Sequence, residues 1–313
     1  MRFGFYLPTS GPNAQPDSLA AIARRGDALG FDCMVVADHI VLPRKIESTY
    51  PYTVGGVYPG AEAGECMEQL TMLTFLAGIT QQIRLVPSVM IVPYRNPVLT
   101  AKILATLDVL SKGRVTLGVG VGWMEEEFQA LAAPPFAERG AVTNEYLQIF
   151  KELWTSDNPT FDGRYYSFSE LEFLPKPVQK PHIPIWVGGQ SRLAMRRAAQ
   201  LGNGWHPVGT IPAAPLEPEE LAGDIARLHR YAGEAGRDPG ELDVAMKAPL
   251  YDPGASTGGQ RRRFSGEPDQ LLQDIQTYSD VGVTHTIFDI RSSDLNQTTE
   301  RMAWFAQEVI AKT

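Results

Sequence analysis

The chain has 313 residues, 43% of them hydrophobic and 20% charged, with a formal net charge of −8. That length suits one elaborated α/β barrel, which takes about 250 residues before insertions and buries enough surface to fold without a covalent staple. The acidic balance argues against nucleic-acid binding, which runs on clustered Lys and Arg, and no apolar run reaches the roughly 20 residues of a membrane helix.

Taken in order, Met1-Arg2-Phe3-Gly4-Phe5-Tyr6-Leu7-Pro8 is too short an apolar run for a signal peptide and reads as a first strand. Short β-rich runs then recur near 32–37, 83–90, 114–119, 183–187, 203–207, 243–247 and 284–289. Helical patterns separate them near 17–29, 68–80, 98–111, 141–154, 191–200, 218–235, 268–281 and 297–311. The alternation predicts a single (β/α)8 TIM barrel, one domain over 1–313. Gly30, Gly113 and Gly282 end helices, and Asn96-Pro97 begins one. Three segments exceed a minimal barrel: a Tyr/Pro/Gly-rich insertion at 43–66, a hairpin signal with a proline-rich connection at 158–181, and a Gly-rich basic loop at 249–266. Cys33 and Cys66 have no pairing signature, which suits a reducing cytoplasm.

The chain has no P-loop, HExxH or GxSxG, and its five histidines lack metal-ligand spacing, so no metal is expected. Glu125-Glu126-Glu127 reads as a solvated first helical turn favoured by the helix dipole. Asp38-His39 ends the second strand, where a histidine points into a barrel mouth and can exchange a proton, or simply hydrogen-bond the scaffold. Asp38 can orient that ring or cap a turn. Gly118-Val119-Gly120-Val121-Gly122-Trp123 leaves one backbone face bare for a flat ring or a neighbouring chain. Gly188-Gly189-Gln190-Ser191 opens a helix N-terminus, a natural anion site or an ordinary turn.

Together with Arg2-Phe3-Gly4-Phe5, Pro87-Ser88-Val89, Arg95-Asn96-Pro97, Ser111-Lys112-Gly113-Arg114, Phe161-Asp162-Gly163-Arg164-Tyr165-Tyr166, Lys176-Pro177 and Trp186-Val187-Gly188-Gly189, these motifs resemble the luciferase-like flavin and deazaflavin oxidoreductases. The resemblance implies a non-prolyl cis peptide at Ser88–Val89 beneath a coenzyme ring. It also implies coenzyme contacts at Asp38, Val121, Gly122, Gly188, Gly189, Gln190 and Ser191, and proton transfer by His39. The sugar-phosphate dehydrogenases of that branch carry a carboxylate after the strand-four glycines, where this chain has Trp123. That departure leaves a general base unassigned, argues against a sugar-phosphate substrate, and suggests an aromatic wall.

The expected coenzyme is coenzyme F-420, an 8-hydroxy-5-deazaflavin, with FMN as the alternative. Two clusters, Arg261-Arg262-Arg263 and Arg44-Lys45, are candidate holders of the deazaflavin's acidic tail. Three activities follow: a deazaflavin-dependent oxidoreductase acting on a small organic molecule, an FMN-dependent monooxygenase, and a non-catalytic flavin-binding protein. The resemblance further implies a homodimer.

Overall fold

The computed structural model describes residues 1–62, 64–252, 255–257 and 259–313. Eight parallel strands form its centre: β1 (Arg2–Tyr6), β2 (Cys33–Val36), β3 (Arg84–Pro87), β4 (Leu117–Gly120), β5 (Ile185–Gly188), β6 (Gly204–His206), β7 (Asp243–Pro249) and β8 (His285–Asp289). Each pairs with its neighbour in chain order except β3 with β4, and β1 pairs with β8. Between β3 and β4 the seam is closed by a bridge from Leu85 to Val115, and by the two-residue continuation Met90–Ile91, which pairs with β4. The expected (β/α)8 barrel is the observed fold.

The strand sequences explain why. Cys33–Val36 is buried at every position, as a strand covered on both faces must be. One set of side chains, Cys33, Val35, Val86, Trp186, Ala245 and Ile287, fills the barrel interior, with Tyr6 packed against it. The alternate set, including Phe3, Phe5, Met34 and Leu85, meets the helices in a core that runs on to Val309. Crossovers are α1 (Pro16–Ala28), α2 (Gln69–Ala77), α3 (Pro97–Leu110), a short α4 (Glu125–Ala130) with α5 (Arg139–Thr155), α6 (Arg192–Leu201), α7 (Pro218–Glu234) and α8 (Pro268–Asp280); α9 (Leu295–Glu308) ends the chain. Asn96 caps α3 as expected, its side chain accepting from Leu99 N–H at 3.0 Å. Gly30, Gly113 and Gly282 take positive φ angles after their helices.

Of the insertions, 158–181 contains the expected hairpin, Phe161–Asp162 against Ser167–Phe168. The segment 249–266 includes a second small hairpin, Ser256–Thr257 with Gln260–Arg261, while Pro253, Gly254 and Gly258 of it, and Ala63 of 43–66, lie outside the described residues. No helix among the described residues is long and apolar enough to cross a membrane.

Candidate active site

The C-terminal ends of the strands build a platform first. The Ser88–Val89 peptide is cis, as the resemblance implied. Its bulge explains the glycines that looked available to a ligand. A Cβ on Gly118 would lie 2.2 Å from the Pro87 carbonyl oxygen, one on Gly120 2.5 Å from a Val89 methyl, and one on Gly188 2.9 Å from the other. Close approach by neighbouring chain, one of the two sequence readings, is therefore observed, with Val89 half-exposed as the upper surface. Gly120→Ala is expected to destabilise the protein by about 1–3 kcal/mol in urea titration. Val89→Ala in the same chain should recover much of that, since the clash partner is gone. Additive losses would mean that the glycine serves another purpose.

Ser88 itself faces inward. His206 is fully buried, and burial drives its imidazole down to about 4, so the ring is neutral. Its Nδ1–H donates to the Ala245 carbonyl at 2.5 Å, leaving Nε2 to accept from the Ser88 hydroxyl at 2.9 Å. The Ser88 hydroxyl is thus tied below the platform, and only its backbone and Val89 face upward. Lys247 Nζ donates to the Ser88 carbonyl at 3.3 Å and lies 4.7 Å from the centre of the Tyr6 ring.

His39 sits beside this platform. Its Nδ1–H donates to Glu127 Oε2 at 2.9 Å, the Tyr94 hydroxyl donates to the same oxygen at 2.9 Å, and the Ile40 and Val41 amides reach Oε1 at 2.7 and 3.3 Å. Glu127 is completely buried. Burial pushes its carboxyl up, but the His39 hydrogen bond and charge, the Ile40 amide and the Tyr94 hydroxyl outweigh it and hold the carboxyl below its usual range. The reading of 125–127 as a solvated turn is corrected here: Glu125 alone is exposed. Glu126 accepts from the Glu47 and Ser48 amides and from the Ser48 hydroxyl, at 2.6, 2.9 and 2.7 Å. A carboxylate therefore does stand beside His39, carried by α4 rather than by the position held by Trp123.

Asp38 does not orient His39. Its oxygens take a two-pronged bond from Arg95 at 2.7 and 2.8 Å and the Ile91 amide at 2.8 Å, and its side chain is buried. Arg95 bonds Glu68 as well, at 2.8 Å. Its observed bonds thus tie the end of β2 to Arg95 and Ile91, instead of the ring orientation or turn cap expected from sequence.

Over His39 lies an aromatic cluster from the 43–66 insertion. The Tyr58 ring centre is 5.0 Å from that of His39 and 5.3 Å from that of Trp123, and Tyr50 stands 5.0 Å from Trp123. Trp123 is therefore part of an aromatic cluster beside His39.

Across the mouth, Ser191 caps α6 by accepting from Ala194 N–H at 3.1 Å, leaving the other first-turn amides pointing outward behind Gly188, Gly189 and Gln190. Gly189 has φ +99°, a conformation open to few side chains. Val121 and Gly122 follow β4, half-exposed, with Gly122 held by Ile91 and Phe128 beneath it. The basic loop is less available than its sequence suggested. Arg261 makes a two-pronged bond to the buried Asp274 at 2.7 and 2.9 Å, and Arg263 bonds Asp274 and Glu217 at 3.1 and 3.3 Å. Lys45 pairs with Glu47. An apolar cavity of about 280 Å³ among Leu250, Tyr251, Phe264, Leu271 and Trp304 contains none of the residues that meet at the platform.

A barrel whose mouth joins a flat apolar platform to a carboxylate-bound histidine is built as an enzyme. The chain belongs to the luciferase-like monooxygenase family, whose model matches residues 1–251. An uncharacterised protein of Mycobacterium tuberculosis is 30% identical over 99% of this chain and 96% of its own. An F-420-dependent glucose-6-phosphate dehydrogenase of Microbacterium testaceum is 25% identical over 95% and 94%. An FMNH2-dependent dimethylsulfone monooxygenase of Pseudomonas putida is 34% identical over 44% of this chain and 38% of its own. The crystal structure of the monooxygenase RslO1 from Streptomyces bottropensis superposes with a TM-score of 0.80 over 100% and 99% of the two chains, at 22% identity.

Proposed function

We propose that this oxidoreductase uses coenzyme F-420, the deazaflavin, to move a hydride to or from a small organic substrate. The observation that carries this reading is His39, fixed by a buried carboxylate at the edge of the Val89 platform. Nδ1 is engaged by Glu127, and no hydrogen-bond partner meets Nε2 among the described residues. A hydride transfer that makes or breaks an alcohol or reduced ring needs a proton moved at the same time, and a histidine so held can hold or take it at Nε2. Glu127 also weakens the non-catalytic reading, which rested on the absence of an acid near Trp123.

The residues fit a flat ring with a phosphate: half-exposed Val89 seated low between two glycines, and a capped helix N-terminus beyond Gly188 and Gly189. Val89 would lie under the ring, Val121 and Gly122 along it, and Gly188, Gly189, Gln190 and Ser191 at the phosphate. Ser88 would serve through its backbone. Bound there, the deazaflavin would supply a carbon that accepts or donates hydride. The protein's part is positioning, since such transfer needs carbons roughly 3–3.5 Å apart, and exclusion of water by Tyr50, Tyr58 and Trp123. The preference for F-420 over FMN is supported by the F-420-dependent relative, which matches 95% of this chain.

FMN with oxygen is the second reading, favoured by the relative that matches 44% of this chain. Fluorescence titrations of both coenzymes, side by side, separate them. We expect F-420 to bind about tenfold tighter or better. Tighter FMN binding, with oxygen consumed when FMNH2 is supplied, overturns the proposal. His39→Ala should lower turnover by about 100-fold with little change in coenzyme affinity, and unchanged turnover would remove His39 from the chemistry. A homodimer is expected through α2 and α3, which are apolar on their outer faces too: Phe75, Leu99 and Leu110 are 45%, 59% and 60% exposed.

A further inference from the structure

We infer that the mouth contains a subsite for one carboxylate of a planar, unsaturated substrate, with Lys247 as its cation. This deepens the proposed activity by naming the substrate class, and it rests on that reading for its catalytic meaning.

Lys247 occupies the inward face of β7, two residues above Ala245 of the barrel interior. A lysine in that position is costly unless something compensates its charge. Its hydrogen-bond partner is one backbone oxygen, that of Ser88, and no carboxylate lies within ion-pair distance of Nζ among the described residues. Asp289, the acid that acts on it, is bonded on both oxygens by Arg291, at 2.7 Å each. Two cations thus share one carboxylate, and one positive charge is left over.

The surroundings describe what that charge meets. The guanidinium of Arg291 lies 5.3 Å from the Tyr6 ring centre, on which Lys247 also rests. Tyr50 and Tyr58 stand close enough for the Arg291 charge to favour their ionised forms, although burial raises both and takes Tyr50 up to about 12. Three tyrosines therefore wall the cationic spot, Tyr6 against both cations and Tyr50 and Tyr58 on the Arg291 side, and Lys247 touches the platform peptide itself. A flat conjugated body fits such walls, and one negative charge fits the surplus. A phosphate dianion would lack its second counter-charge, Arg291 being already neutralised by Asp289.

Burial, with the repulsion of Arg291, pulls Lys247 down to about 8, against a smaller opposing effect of Asp289. The groups facing it are Tyr6 on β1, Asp289 on β8, Arg291 just beyond, and the neutral Ser88 carbonyl. A carboxylate bound there should weaken as pH rises through about 8, when the ammonium loses its proton.

The test uses the full chain without coenzyme, so its outcome is independent of which coenzyme binds. Benzoate is titrated against the protein by calorimetry, with inorganic phosphate as competitor. Benzoate should bind, phosphate should not displace it, and Lys247→Met should weaken it about tenfold or more while circular dichroism is unchanged. On the wild-type protein, which needs no variant, affinity should fall as pH passes about 8. Absence of benzoate binding, equal affinity in Lys247→Met, displacement by phosphate, or an affinity flat across that pH would each overturn the subsite. F-420 binding by a protein that ignores benzoate would sink the subsite alone; benzoate binding without F-420 would sink the coenzyme assignment alone.

Discussion

Glu127→Gln is expected to lower turnover by about 100-fold or more while coenzyme affinity stays within a few-fold. The neutral amide keeps the shape but has one acceptor oxygen, and four donors now converge on two: His39 Nδ1–H, the Tyr94 hydroxyl and two backbone amides. At least one donor must face the new NH2 group, so His39 loses the acceptor that fixes its tautomer. The same mismatch should cost about 1–3 kcal/mol of stability. The variant should also lose the wild type's acid sensitivity at this site. A carboxyl held low in the fold contributes stability above its unfolded value, near 4.3, and loses it as pH falls through the folded one. Combining Glu127→Gln with His39→Ala should be no worse than His39→Ala alone, because the two act as a unit. Near-normal turnover in Glu127→Gln would remove the carboxylate from the mechanism.

Asp38→Ala should produce the largest loss of stability, about 3 kcal/mol or more by urea unfolding, without a matching loss of coenzyme affinity per folded molecule. The change strands Arg95, whose side chain is only 12% exposed, with half-buried Glu68 as its remaining carboxylate, and it frees the Ile91 amide. Although burial pulls the Arg95 guanidinium down, its bonds and charge interactions with Asp38 and Glu68 hold it above its ordinary value. Removing both charges, as Asp38→Ala with Arg95→Met, should cost less than Asp38→Ala alone. If instead Asp38→Ala unfolds normally but binds coenzyme poorly, the direct coenzyme contact implied by family resemblance accounts for it.

The barrel was legible because its signals are local and repeated. β-rich runs such as Leu117–Gly120 alternate with helices whose caps, Asn96 among them, sit where the chain must turn. The site was legible only where one residue type points to one chemistry, as His39 does at a strand end. Glu127 was missed because three consecutive glutamates look alike, yet the helix separates them. Met124, Glu127 and Phe128 form a buried stripe at the i, i+3, i+4 spacing, which puts one of the three acids inside. Lys247 left an equally readable trace, a charge at an inward position among the buried residues Val244, Ala245, Met246 and Ala248. The roles of Asp38 and the glycines were beyond local reading, because Arg95, Pro87 and Val89 come from another βα unit.

The adjacency of Glu126 and Glu127 has a practical bearing on redesign. One short turn of helix fastens the 43–66 insertion through Glu47 and Ser48 and aims the imidazole through its neighbour. An insertion or deletion upstream of it would rotate both anchors by about 100° per residue. Libraries meant to broaden what the enzyme accepts should therefore vary the stretch around Tyr50, Tyr52 and Tyr58 and leave 47–48 and 124–128 as found.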